Sequence, residues 1–183
     1  CVGLFNTLYN IEKKKVSKKK LSLNAIHVEQ KMLKENCGSQ DQIWAAYGGF
    51  NIIKFNKDGK FFVYPIKKSR KNLNKLDKNM FLVYTGINRF SENIEKNKIK
   101  NINKNFKNLD KINYITNTFI KEMGSNFTID LCGDLMNEYW EIKKQLSKKV
   151  TSPFINELYK EGLNNGAIGG KIIGSGGGGF LLF

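Results

Sequence analysis

The chain has 183 residues, with 31 Lys and Arg against 16 Asp and Glu and a formal net charge of +15. A hydrophobic fraction of 40% with 12% aromatics can fill a core and excludes wholesale disorder. The lysines are interleaved with asparagine and isoleucine throughout, and only Lys13 to Lys20 and Lys67 to Lys71 cluster, so an anion preference is expected but a nucleic-acid face is not.

Cys1, Cys37 and Cys132, with one histidine and no CxxC, lack the ligands for structural zinc and the number for a disulfide framework. A reducing cytoplasm is the expected setting. No apolar run has the length of a membrane span. Asn126-Phe127-Thr128 matches a glycosylation acceptor, with nothing else pointing to secretion. The chain starts without Met on the apolar run Cys1 to Leu8, which reads like the middle of a buried helix. We therefore expect a C-terminal piece of a longer protein, lacking turnover by itself.

Leu4, Leu8 and Ile11 form a helical stripe, followed by a lysine-rich connection. Ser22 is the expected N-cap of a second helix, with Ala25, Val28 and Met32 on one face and Glu29 beside it. Gly38-Ser39 breaks that helix, and Ile43 to Tyr47 suits a short one ended by Gly48-Gly49. Phe50 to Phe55 and Lys60 to Ile66 read as strands around Asn56-Lys57-Asp58-Gly59, a hairpin signal. The polar stretch Lys67 to Asn79 is expected as a loop holding the domain boundary, giving domains 1–72 and 73–183. A strand over Met80 to Tyr84 follows, then helices over Ser91 to Ile102 and Leu109 to Met123. Asp130 opens a longer helix with Leu131, Leu135, Tyr139, Ile142 and Leu146 as a core stripe, and Pro153 suits the first turn of another. The order indicates an α+β fold with helices packed on a mostly antiparallel sheet.

The chain ends GAIGGKIIGSGGGGFLLF, a glycine run between two apolar β-formers. Successive backbone N–H groups in such a run can form a concave anion nest. The candidate phosphate holders are Gly174, Ser175, Gly176, Gly177, Gly178 and Gly179, with Lys171 as a point charge. A dinucleotide site would need a helix directly after the loop and an acid about 20 residues on, and the chain ends instead. The GxxG clamp of RNA-binding modules fits Gly174 to Gly177 but lacks basic residues inside it. A flexible linker is the plain alternative, at odds with flanking strands.

Two constellations could carry chemistry. Glu29 and Asp41, separated by a helix end and a glycine turn, could share a cleft, one holding a divalent cation and one accepting a proton. The plain alternative is an exposed helix acid and an N-capping aspartate. Gln40 and Gln42 flank Asp41 with amides suited to sugar hydroxyls. The second is YTGINR, residues 84–89, where Arg89 after a strand end can grip a phosphate or carboxylate with two prongs, or be a surface arginine.

Taken together, GSQDQIWAAYGG, YTGINR and NNGAIGGKIIGSGGGGFLLF resemble the GHMP small-molecule kinases. Within them the resemblance is to the branch acting on D-glycero-D-manno-heptose 7-phosphate, with fucokinases and galactokinases as more distant cousins. It implies the remnant of a left-handed βαβ N-terminal domain and a ferredoxin-like C-terminal domain. It also implies ATP and Mg²⁺ as cofactors and a sugar phosphate as substrate, phosphorylated at its anomeric hydroxyl. By the same resemblance Asp41 is the catalytic aspartate and Glu29 the magnesium ligand. Gly174 to Gly179 form the motif near the nucleotide phosphates, and Arg89 binds the sugar's own phosphate. The family's GLGSSS-type nucleotide loop, expected just before Cys1, is not in these residues. The rival expectations are another sugar 1-kinase of fucokinase type, or a non-catalytic anion- or RNA-binding module.

Overall fold

The computed structural model describes residues 1–66, 70–88 and 92–183. They fall into two compact units, residues 1–67 and 68–183. In the first, α1 (Val2–Ile11) is apolar on more than one side, and the side it turns inward is not the expected one. Val2, Phe5 and Tyr9 are partly buried, while Leu4, Leu8 and Ile11 are exposed. Tyr9 accepts a hydrogen bond at its hydroxyl from Asn24 Nδ2 at 2.9 Å, which ties α1 to α2 (Lys18–His27).

α2 begins five residues earlier than expected, with its cap at Ser17 and not Ser22. The lysines Lys18 to Lys20 belong to the helix, and Ser17 caps it by accepting from the Lys20 N–H at 3.1 Å. Ser22 is buried inside, its hydroxyl satisfied by the Lys19 carbonyl. Lysine is a good helix former, so a charged run need not be a connection. α2 passes into a π-helical turn, Val28–Met32, where Leu33 N donates to Val28 O and Glu35 N to Glu29 O. The wider turn swings Met32 out of the expected face and leaves it exposed.

α3 (Gln40–Tyr47) packs on α2 through Ile43, and Lys18 Nζ donates to its terminal Tyr47 carbonyl. The hairpin β1 (Asn51–Phe55) and β2 (Phe61–Pro65) pairs Phe55 with Phe61 around Gly59 at φ +79°. Only glycine takes that angle without strain.

In the second unit the expected loop over 67–79 is instead a helix, α4 (Arg70–Asn79). Its charged and amide residues hide the two that matter, Leu73 and Leu76, which meet Met123, Phe127 and Cys132. Asn72 Nδ2 donates to the Met123 carbonyl at 2.9 Å and fixes the helix there.

Strand β3 (Leu82–Tyr84) and helices α5 (Glu92–Lys100), α6 (Phe106–Met123), α7 (Ile129–Leu146) and α8 (Pro153–Asn164) follow. Thr128 and Ser152 cap α7 and α8 by accepting from the amides three residues on. Strands β4 (Lys171–Ile172) and β5 (Phe180–Leu182) complete an antiparallel sheet in the order β3-β5-β4. Ile172 pairs with Leu181, and both side chains enter the core with Trp140, Val150, Ile155, Tyr159 and Phe183. Each fully buried aliphatic there contributes about 1.5–3 kcal/mol. The fold is α+β, as expected, with the sheet placing the glycine run at one end of the β4–β5 hairpin. Among the described residues, no helix is long and apolar enough to cross a membrane.

Candidate functional site

Glu29 lies inside the π turn, an uncommon backbone form concentrated at functional positions. Its carboxylate is partly buried and held from two sides. Gln42 donates to Oε2 through Nε2, and the Cys37 thiol lies 3.9 Å from the same oxygen. The Cys1 backbone nitrogen stands 4.0 Å from Oε1, which puts Glu29 beside the start of α1. Glu29, Glu35 and Cys37 bring ligand atoms within 4.8 Å of one another. Burial pushes the Cys37 thiol up from its ordinary value, and the neighbouring Glu29 and Glu35 raise it further, so it stays a thiol at neutral pH.

Asp41 is exposed at the second position of α3. Ser39 occupies the cap position, so Asp41 is not the N-cap, and its carboxylate has no hydrogen bond or ion pair among the described residues. Gln40 beside it is exposed. Gln42 is not: it is 5% exposed and turns its amide inward to Glu29 and to Cys37 Sγ at 3.7 Å. The two amides that flank Asp41 in sequence therefore stand on opposite sides of the helix surface. Gln30 braces the same turn, its Nε2 donating to Cys37 O and Ser39 Oγ, both at 3.0 Å. Spacing could pair Glu29 with Asp41, but could not show that Gln42 and Cys37 are the groups touching Glu29.

In the second unit, Gly174, Gly176, Gly177, Gly178 and Gly179 all have positive φ, from +68° to +155°. The loop is fastened by its own backbone. Gly177 N donates to Val150 O, and Gly179 N donates to Ile87 O at 3.0 Å. Gly179 O in turn accepts from both the N–H and the hydroxyl of Thr85, each at 2.8 Å. A Cβ on Gly176 would sit 2.7 Å from Val150 O, and one on Gly178 would sit 2.7 Å from Ile87 O. The run is glycine both for its left-handed angles and for this close approach.

The lysine that reaches the loop is not Lys171. Lys171 holds its ammonium 4.3 Å above the Tyr139 ring, and burial lowers its pKa from the ordinary lysine value. Lys143 on α7 is 5% exposed and donates to Ile172 O at 3.1 Å and Gly174 O at 2.6 Å. One turn after Tyr139 on an apolar stripe, it reads in sequence as an ordinary helix-flank lysine. Asn137 also escaped sequence reasoning. It accepts from Gly170 N at 3.1 Å and from the Tyr159 hydroxyl, and donates to Ile168 O at 3.0 Å. Arg89 lies outside the described residues; the turn before it is held by Tyr84 OH donating to Asn88 Oδ1 at 2.6 Å.

Residues 120–183 match the family model for the GHMP kinase C-terminal domain. The chain is 30% identical over 161 residues to a D-glycero-alpha-D-manno-heptose 7-phosphate kinase from Campylobacter jejuni subsp. jejuni, covering 87% of this chain and 47% of the relative. It is 28% identical over 153 residues to a bifunctional fucokinase/GDP-fucose pyrophosphorylase from Arabidopsis thaliana, covering 79% of this chain and 14% of that one. A crystal structure of a D-glycero-D-manno-heptose 1-phosphate kinase from Bacteriodes thetaiotaomicron superposes with a TM-score of 0.71 at 22% identity, over 100% of this chain and 49% of that one. The chain thus spans half or less of the length of these relatives. With the glycine loop joining β4 to β5 in an antiparallel sheet, residues 120–183 match the C-terminal domain of the GHMP kinases, and the chain shares the fold of that crystal structure.

Proposed function

We propose that the full-length protein transfers the γ-phosphate of ATP to the anomeric hydroxyl of a heptose 7-phosphate. The observation that carries this reading is the 30% identity, over 87% of this chain, to a heptose 7-phosphate kinase. Phosphoryl transfer needs positioning and charge stabilisation more than covalent help, and the residues suit those tasks. Glu29 offers a hard carboxylate of the kind Mg²⁺ takes. Gln42 and Cys37 orient that carboxylate. Mg²⁺-bound ATP supplies the electrophilic phosphoryl group. Asp41, exposed and unpaired, aligns the sugar hydroxyl or accepts its proton. Gln40 reaches the sugar hydroxyls, and Arg89 grips the distal phosphate. Gly174 to Gly179, with Ser175 among them, hold nucleotide phosphate through backbone amides. Gly177 and Gly179 contribute by shaping the loop, because their own N–H groups are already engaged. Lys171 adds positive field from its place over Tyr139.

The test is ATP-dependent phosphorylation by the full-length protein, with the product's new phosphate located on the anomeric carbon by ³¹P NMR. Arg89→Lys should raise KM for the sugar phosphate and leave KM for ATP nearly unchanged, because a point charge replaces a two-pronged fork. Turnover of fucose without turnover of heptose 7-phosphate would move the assignment to a fucokinase-like enzyme, the reaction class of the other relative. RNA binding that falls steeply with salt, without nucleotide binding, would overturn the kinase reading.

A further inference from the structure

We propose that Lys143 is the positioning residue of the glycine loop: its buried ammonium, donating to the Ile172 and Gly174 carbonyls, sets the peptides that open the loop and fixes a positive charge behind it. The proposal rests on the reading of that loop as a phosphate holder.

A lysine is rarely buried unless its ammonium is satisfied, since stripping water from a charge is costly. Lys143 is 5% exposed in the last turn of α7, with its ammonium 5.7 Å from the centre of the Tyr139 ring, and its donors need polar partners. Two of them meet carbonyls at 3.1 Å and 2.6 Å, charge-assisted bonds about twice as strong as neutral ones.

The location of those carbonyls gives the lysine its function. Ile173 N makes the last hairpin bond, donating to Phe180 O at 2.9 Å. Ile172 and Gly174 flank that residue, so Lys143 grips the chain where it leaves the sheet. Gly174, at φ +68°, is the first left-handed residue of the run. The peptide that follows is planar and trans, so drawing the Gly174 carbonyl toward Lys143 turns the Ser175 N–H the opposite way. The other end of the loop is fixed by Val150 and Ile87, which take the Gly177 and Gly179 amides. The Thr85 hydroxyl also donates to Gly179 O, and of these fastenings only Lys143 carries charge.

Lys143 can be tested in the full-length protein by calorimetric titration with ATP and Mg²⁺, beside amide hydrogen exchange over residues 173–179. Lys143→Met keeps much of the stem and removes the ammonium. Loss of one or two charge-assisted bonds predicts ATP affinity weakened about tenfold or more. Exchange in the loop should quicken while the Asn137-held segment 168–170 stays protected, and Lys143→Arg should recover part of both. Lys143→Gln keeps a donor without the charge, and serves where the methionine variant fails to fold; it too should lose about tenfold in ATP affinity. Wild-type affinity in the glutamine variant, or in a folded methionine variant, overturns the role of Lys143 and leaves the phosphate reading standing. A wild-type protein that binds no ATP overturns the phosphate reading itself, and this proposal with it.

Discussion

At the scale of single residues, Asp41 and Gln42 show how one position changes what a side chain can do. Asp41 points out from the first turn of α3, while Gln42 is buried against Glu29. If Asp41 accepts the proton of the attacking hydroxyl, Asp41→Asn keeps the shape and removes the basicity. In the full-length protein kcat should then fall by about 10²–10⁴-fold, with nucleotide affinity held within a few-fold. A role confined to the helix dipole predicts something else: a stability loss of roughly 0.3–1 kcal/mol with kcat intact. Steady-state kinetics beside urea denaturation separates the two, and near-normal kcat would remove Asp41 from the chemistry. Which residues surround Glu29 was not legible in the sequence. Helical spacing assigns a face, but the π turn at Val28–Met32 shifts every residue after it, and nothing in its composition announces a π turn.

At the scale of elements, the sequence is legible where local chemistry decides and opaque where tertiary packing does. The β1–β2 hairpin and the start of α8 follow from Asp58-Gly59 and Pro153, whose backbone preferences act locally. α4 was missed because two leucines among lysines and asparagines become a helix face only when Met123 and Phe127 stand opposite them. The glycine loop was legible as a strand-loop-strand, but its fastening to Val150, Ile87 and Lys143 was not, because those partners lie far away in sequence. That fastening separates the glycines. Gly179→Ala meets nothing within 4 Å and carries only the strain of φ +82°, about 1–2 kcal/mol. Gly176→Ala carries similar strain at φ +101° and also drives a methyl to 2.7 Å from the Val150 carbonyl. The loop must then shift, so the Gly176 variant should be the less stable of the two and should lose more ATP affinity. Equal losses in thermal melting and ATP titration would mean that Val150 gives way easily.

At the scale of the whole molecule, the second unit is drawn together at Asn137, which links α7, α8 and the segment 168–170 that leads into β4. The link to α8 is the Tyr159 hydroxyl, whose ring also stacks on Phe183 at 5.8 Å and tilts against Trp140 at 6.0 Å. Burial, with Glu141 nearby, raises the Tyr159 pKa from 10.0 to about 12. Between those values the unfolded chain has released a proton that the folded chain still holds, so stability falls as pH rises. The contribution is fully present below the unfolded value and is lost as pH passes through about 12. Lys171 acts in the opposite direction, because its pKa is lowered by burial. The charged ammonium weighs against folding until pH climbs through its folded value toward 10.5. Comparing wild type with Tyr159→Phe cancels Lys171 from the difference. At pH 8 the phenylalanine variant should be less stable by about 0.5–1.5 kcal/mol, the worth of one hydrogen bond. From pH 10 to 12 its stability should decline less steeply, so that the gap narrows. Urea titrations across this range, followed by near-ultraviolet circular dichroism, would measure it. A gap that stays constant to pH 12 would mean that Tyr159 ionises alike in both states, and the bond to Asn137 would lose its place as the alkaline weak point of the fold.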